Sequence, residues 1–151
     1  MALRFPYRVR SVAGPLVTMG GRSVRPRPII PVTIMGPSGN WPLHALVDTG
    51  ADESLFPDHF ASVIGIDLST ALASSGTGLG SGSLPLRFAE VTLNISDTRE
   101  TREWRAWVSF TSAFLSMPLL GFAGFLQYFT ATFHGDREEL ELTVNASYPG
   151  T

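Results

Sequence analysis

The stretch ALVDTGADESLFP, residues 45–57, sets an apolar run directly against Asp48-Thr49-Gly50, then adds a second acid at Asp52 and a proline at Pro57. A carboxylate at the buried end of a strand is costly unless it is paired or hydrogen-bonded. Gly50 lets the backbone bend and bring N–H groups toward such a carboxylate. Thr49 offers a hydroxyl that can lock the turn by bonding across to a neighbouring chain. Ala51 keeps the floor low enough for a substrate to approach. The residue types suit a catalytic acid held at a strand end.

Outward from this turn the chain reads as β structure. IIPVTIM (29–35) is rich in β-branched residues, with Pro31 marking an edge or bulge. GPSGNWP (36–42) is dense turn chemistry, and LHALVD (43–48) is the returning strand. PDHFASVIG (57–65) predicts a short helix opened by Pro57 and closed by Gly65. The Gly-rich SSGTGLGSGS (74–83) lies between two strand-like runs, 67–73 and 84–95, and predicts a hairpin with a glycine tip. EWRAWVSF (103–110) alternates with a period of two, placing Trp104 and Trp107 on opposite faces. MPLLG (117–121) predicts a short buried strand, FAGFLQYF (122–129) a short helix, and 130–144 a hairpin turning at Gly135-Asp136.

Composition narrows the function classes. The 151 residues suit one domain, and with no Cys, disulfides, thiolate metal sites and Cys nucleophiles are excluded. No run of about 18 apolar residues predicts a membrane span. A Cys-free chain fits a reducing cytoplasmic setting, the expected location. His44, His59 and His134 lack metal-ligand spacing and read as surface or satisfied residues. GTGLGSG fails the dinucleotide pattern, since its third glycine position holds Ser81 or Ser83. All eleven basic residues are Arg, and six of them precede the first acid, Asp48. That Arg-rich segment (1–27) reads as an arm that is solvated or packed on the surface against the acidic 136–141; a cleaved leader and a nucleic-acid arm are the lesser alternatives. A barrel domain is expected at 28–145 and a tail at 146–151.

Leu46-Val47-Asp48-Thr49-Gly50-Ala51-Asp52 resembles the active-site motif of retropepsins, the single-domain aspartic proteases of retroviruses and their cellular and bacterial relatives. The second family signature, two apolar residues and a glycine, is matched by Leu119-Leu120-Gly121, in the right order. The Gly-rich hairpin at 76–82 takes the place of the family's flap. The resemblance spans roughly residues 29–144 and implies an all-β, retropepsin-like acid-protease barrel with one or two short helices. It also implies peptide-bond hydrolysis with neither metal, cofactor nor covalent intermediate. Asp48 would be the shared acid and base, Thr49 the interchain grip, and Gly50 a source of backbone groups. Ala51, Asp52, Gly76, Gly78, Leu79 and Gly80 would bind an extended peptide.

No second Asp-Thr-Gly or Asp-Ser-Gly occurs, so one chain supplies one catalytic aspartate and a two-fold homodimer is expected. The expected partners are therefore a peptide substrate and a second copy, with no nucleic acid and no membrane. The alternative is an inactive retropepsin-like module that binds peptides or dimerises. Many retropepsins carry Arg after the glycine of the second motif, paired with the acid equivalent to Asp52. Phe122 stands there instead, which leaves Arg87 as the expected partner of Asp52 or an apolar corner.

Overall fold

A computed structural model describes residues 1–77 and 82–151, with Thr77 described in its backbone only. Along the chain, β1 (Leu3–Pro6), β2 (Arg8–Ser11) and β3 (Val24–Arg27) precede the hairpin of β4 (Ile29–Gly36) and β5 (Gly39–Val47). Next come β6 (Leu55–Pro57), the helix α1 (His59–Val63) and β7 (Ala73–Thr77). The long hairpin of β8 (Ser83–Ser96) and β9 (Thr101–Thr111) follows, and then β10 (Leu119–Leu120), β11 (Phe129–His134) and β12 (Glu139–Val144). Among the described residues no helix is long and apolar enough to cross a membrane.

The main sheet runs β4-β5-β10-β6-β9-β8-β7, and a further pairing of β4 with β8 closes its first six members into a barrel. The sequence periodicity explains the core. Val91, Leu93 and Ile95 of β8 alternate inward and meet Trp104, Ala106, Val108 and Phe110 of β9 and Ile30, Val32 and Ile34 of β4, all buried. A fully buried Val, Leu, Ile or Phe side chain contributes about 1.5–3 kcal/mol, so this alternation is the main support of the fold. Trp104 is 2% exposed and Trp107, on the other face, 57%. Pro31 pairs only with His44 of β5, because β8 reaches β4 no further than Thr33–Met35. Its missing N–H therefore removes no ladder bond on that side.

Three local expectations are corrected. Residues 67–73 are not a strand: the Asp67 carboxylate accepts the Ser69 N–H at 2.9 Å and folds a 3-10 turn over Leu68–Thr70, so the paired strand begins only at Ala73. Only the end of 122–129 winds, as a 3-10 turn over Leu126–Tyr128. Gly124 adopts φ +86°, outside the right-handed helical region, so no helix runs through it. Consequently Phe125 and Phe129 are buried while Phe122 is 61% exposed. Pro57 ends β6 rather than opening α1.

The N-terminal segment is structured. β1 lies antiparallel to β12 in a second sheet, β1-β12-β11, and its Leu3 and Phe5 are buried in the common core. Arg4 pairs with Glu139 and Glu141, and Arg22 with Glu138, so these two arginines do meet the acidic stretch. β2 and β3 form a separate two-stranded ribbon.

Candidate active site

Asp48 follows the last residue of β5, and the loop it begins must cross to β6. Between those two strands lies β10, parallel to β5 (Leu119↔Leu46, Leu120↔Val47) and antiparallel to β6 (Leu119↔Leu55). The Asp48 N–H donates to the Leu120 carbonyl at 3.0 Å, which fixes the start of the loop on the second apolar motif. Further along, the Phe122 and Ala123 N–H groups each donate at 2.9 Å to the Ala51 and Asp52 carbonyls, and the Ser54 N–H donates to the Ala123 carbonyl at 3.2 Å. Gly121 lies directly beneath: a Cβ there would stand 2.2 Å from the Glu53 carbonyl oxygen and 2.6 Å from that of Ala51. Only glycine leaves room for the two motifs to close on each other.

The carboxylate itself is half-buried and oriented by the turn. The Gly50 N–H donates to Asp48 Oδ1 at 2.9 Å, and the Ala51 N–H donates to the Asp48 carbonyl at 3.2 Å. A side chain at position 50 would place its Cβ 3.3 Å from that same Oδ1. One oxygen is thus held while the group keeps a face toward solvent. Thr49, Gly50 and Asp52 are exposed, and Ala51 is half-buried. The Asp-Thr-Gly turn therefore presents an outward surface.

The other expected site residues are distributed as follows. Gly76 is half-exposed on β7, where it pairs with Leu84 in the register Ala73↔Arg87 to Thr77↔Ser83, so a hairpin does form but its first arm is 73–77, nearly all within the stretch expected to be its tip, and not 67–73. Gly78, Leu79 and Gly80 lie outside the described residues. Arg87 does not pair with Asp52; its guanidinium donates to the Ala71 carbonyl at 3.3 Å, because Arg87 sits opposite Ala73 at the base of that hairpin. Among the described residues no cation pairs with Asp48, Asp52 or Glu53.

Ser54 was not foreseen from the sequence. Fully buried, its hydroxyl donates to the Ala123 carbonyl at 2.8 Å and accepts the Gly121 N–H at 3.2 Å, bracing the loop against the second motif. A polar residue just before the apolar pair Leu55-Phe56 was the available signal, since a buried hydroxyl needs partners. Ser109, also buried, donates to Glu53 Oε2 at 3.3 Å. The Trp104 indole N–H donates to the Gly124 carbonyl at 2.9 Å.

Groups with metal-ligand chemistry come together away from this loop. His134, Glu139 and Glu141 each offer a ligand atom, all within 4.8 Å of one another, on the β1-β12-β11 sheet. His134 Nε2 is buried without a hydrogen-bond partner, which corrects its reading as a satisfied residue. The register His134↔Glu139 creates this proximity, and sequence spacing does not reveal it. Arg4 already holds both carboxylates, at 3.3 and 2.7 Å, so a cation would compete with a guanidinium.

No family model and no curated protein matches the sequence. Among solved structures, a retropepsin-like aspartic protease from Rickettsia conorii aligns over 94% of this chain and 91% of its own, at TM-score 0.54 and 17% identity. The EIAV protease complexed with the inhibitor HBY-793 aligns over 63% of this chain and 81% of its own, at TM-score 0.48 and 20% identity. On the alignment to the Rickettsia conorii structure, the chain has the retropepsin-like fold.

Proposed function

We propose that the protein is an aspartic endopeptidase whose active site is completed by a second copy. The observation that carries this reading is the Asp48 turn: a carboxylate oriented by the Gly50 N–H, anchored on Leu120 and presented at the surface, once per chain. Two such carboxylates brought to about 3 Å cannot both ionise, so they share one proton, as in aspartic proteases generally. The ionised member takes a proton from water as the oxygen attacks the peptide carbonyl carbon. The protonated member gives its proton to the carbonyl oxygen. The newly protonated member then gives its proton to the amide nitrogen while the ionised member takes a hydroxyl proton from the tetrahedral species, so the C–N bond breaks to a carboxylic acid and an amine and the dyad again holds one proton.

Thr49 and Gly50, exposed in the single chain, are the surface on which the partner's equivalent turn would sit. Asp52 and Ala51 would hold the main chain of an extended peptide, and the hairpin of β7 and β8 would cover it, adding strand-type hydrogen bonds and excluding water. The test is digestion of a denatured peptide library by the wild type and Asp48→Asn from acidic to neutral pH. Cleavage by the wild type alone is expected. Equal cleavage by both, or by neither at any pH, would overturn the proposal.

A further inference from the structure

β2 and β3 pair in the register Arg8↔Arg27, Val9↔Pro26, Arg10↔Arg25 and Ser11↔Val24. Residues directly opposite each other lie on the same side of a ribbon, as do residues two apart on a strand. Arg8, Arg10, Arg25 and Arg27 therefore share one face. Like charges directly opposite each other are destabilising. No acid occurs in the first 47 residues to offset them. Arg4 and Arg22 are paired with glutamates, whereas among the described residues none of the four ribbon arginines pairs with a carboxylate. One of them acts on a neighbour: burial, and then the charge of Arg8, hold the His44 imidazole below its ordinary pKa.

The ribbon adjoins the candidate site. Arg27 is followed by Pro28, whose carbonyl accepts the N–H of Val47 at 2.9 Å, and Val47 immediately precedes Asp48. A surface depression lined by Arg10, Met19, Arg25, Pro26 and Arg27 lies on the ribbon. Successive arginines on each strand are about 6.7 Å apart, the repeat of same-side residues in an extended peptide. We propose that this face docks an acidic, extended stretch of a polypeptide substrate beside the cleft; the word substrate rests on the protease reading, and the docking does not. A polypeptide fits better than a nucleic acid. Among the described residues the arginine face of the ribbon carries no aromatic ring on which bases could stack.

The test is fluorescence anisotropy with the full chain and labelled Glu-Ser or Gln-Ser repeats of about twelve residues. The Glu-Ser peptide should bind at least about tenfold more tightly than Gln-Ser, and its affinity should fall as salt rises. Arg10→Gln/Arg25→Gln should lose that preference without lowering the melting temperature. Arg99→Gln/Arg105→Gln, the same charge change on the β8–β9 hairpin, should retain it. Equal binding by the ribbon variant, equal loss in the hairpin variant, or tighter binding of an oligonucleotide of matched charge would each overturn the proposal. Asp48→Asn should bind as the wild type does. Ribbon-dependent binding without cleavage would refute the protease reading alone, and cleavage without ribbon-dependent binding would refute the docking alone.

Discussion

A methyl group added at Gly121 would stand 2.2 Å from the Glu53 carbonyl oxygen, a contact that backbone on both sides must relieve. Gly121→Ala is expected to cost about 2–3 kcal/mol of stability, read as a lower urea midpoint. Cleavage should fall further than the folded fraction does, since the displaced backbone carries Asp48. Thr98 presents the opposite case. It is a β-branched residue at φ +78° in the β8–β9 turn, a conformation that costs about 1–2 kcal/mol for an L side chain. Glycine there relieves the strain but loosens the unfolded chain by about 0.4–1 kcal/mol, so Thr98→Gly should stabilise by about 0.5–1 kcal/mol in the same measurement. At this scale Gly121 was singled out by its place in the second family signature, while the sequence was most informative about the turn at Asp48 and Gly50, whose hydrogen bond is local. It did not reveal Ser54 or the contact of Arg87, because their partners come from segments brought together only by folding.

Among the elements, β8 and β9 were legible because their alternation is long and regular. β1 to β3 were not, because Arg and Pro interrupt any period and the partners of β1 lie more than 130 residues away in β12. β1 is nonetheless part of the core. Deleting residues 1–6 exposes the surface that Leu3 and Phe5 cover, and should remove about 3–6 kcal/mol, enough to unfold a domain of ordinary stability at moderate temperature. Asp97 ties this strand to the β8–β9 turn: its carboxylate accepts the N–H groups of Glu100 at 2.8 Å, Arg99 at 2.9 Å and Arg4 at 2.9 Å. Burial pushes its pKa upward, but those three N–H groups and the Arg99 charge outweigh it, so the pKa lies below the ordinary 3.8. Below 3.8 the unfolded chain binds more protons than the folded one. The stabilisation is therefore complete above that value and fades as pH falls through the folded pKa. Asp97→Asn should lower the melting temperature clearly near neutral pH, and the gap from wild type should narrow as the pH drops well below 3.8.

For the whole molecule, the pattern of runs and turns made the chain mostly β, the barrel was implied by the retropepsin resemblance, and its closure through β4 and β8 is visible only in the fold, because that pairing joins strands some sixty residues apart. If the site is assembled from two chains as proposed, activity depends on association. Specific activity should rise with protein concentration and then level off. Phe122, 61% exposed and bonded through its N–H to the Ala51 carbonyl, belongs to the same surface as the Asp48 loop, on which the proposed second copy would sit. Phe122→Ser should raise the concentration for half-maximal activity by about tenfold, with little change in the plateau. An unshifted concentration curve would place the ring outside the contact.

β10 also has a bearing on biosynthesis. The turn bearing Asp48 is held by backbone groups from residues 120–123, some seventy positions later in the chain, so a ribosome must release most of the polypeptide before the acid has a frame to stand on. Pairings that distant form slowly, and a nascent fragment ending before residue 118 carries Asp48 without its scaffold. Were the protein the protease proposed above, that order of emergence would withhold cleavage from the half-made chain.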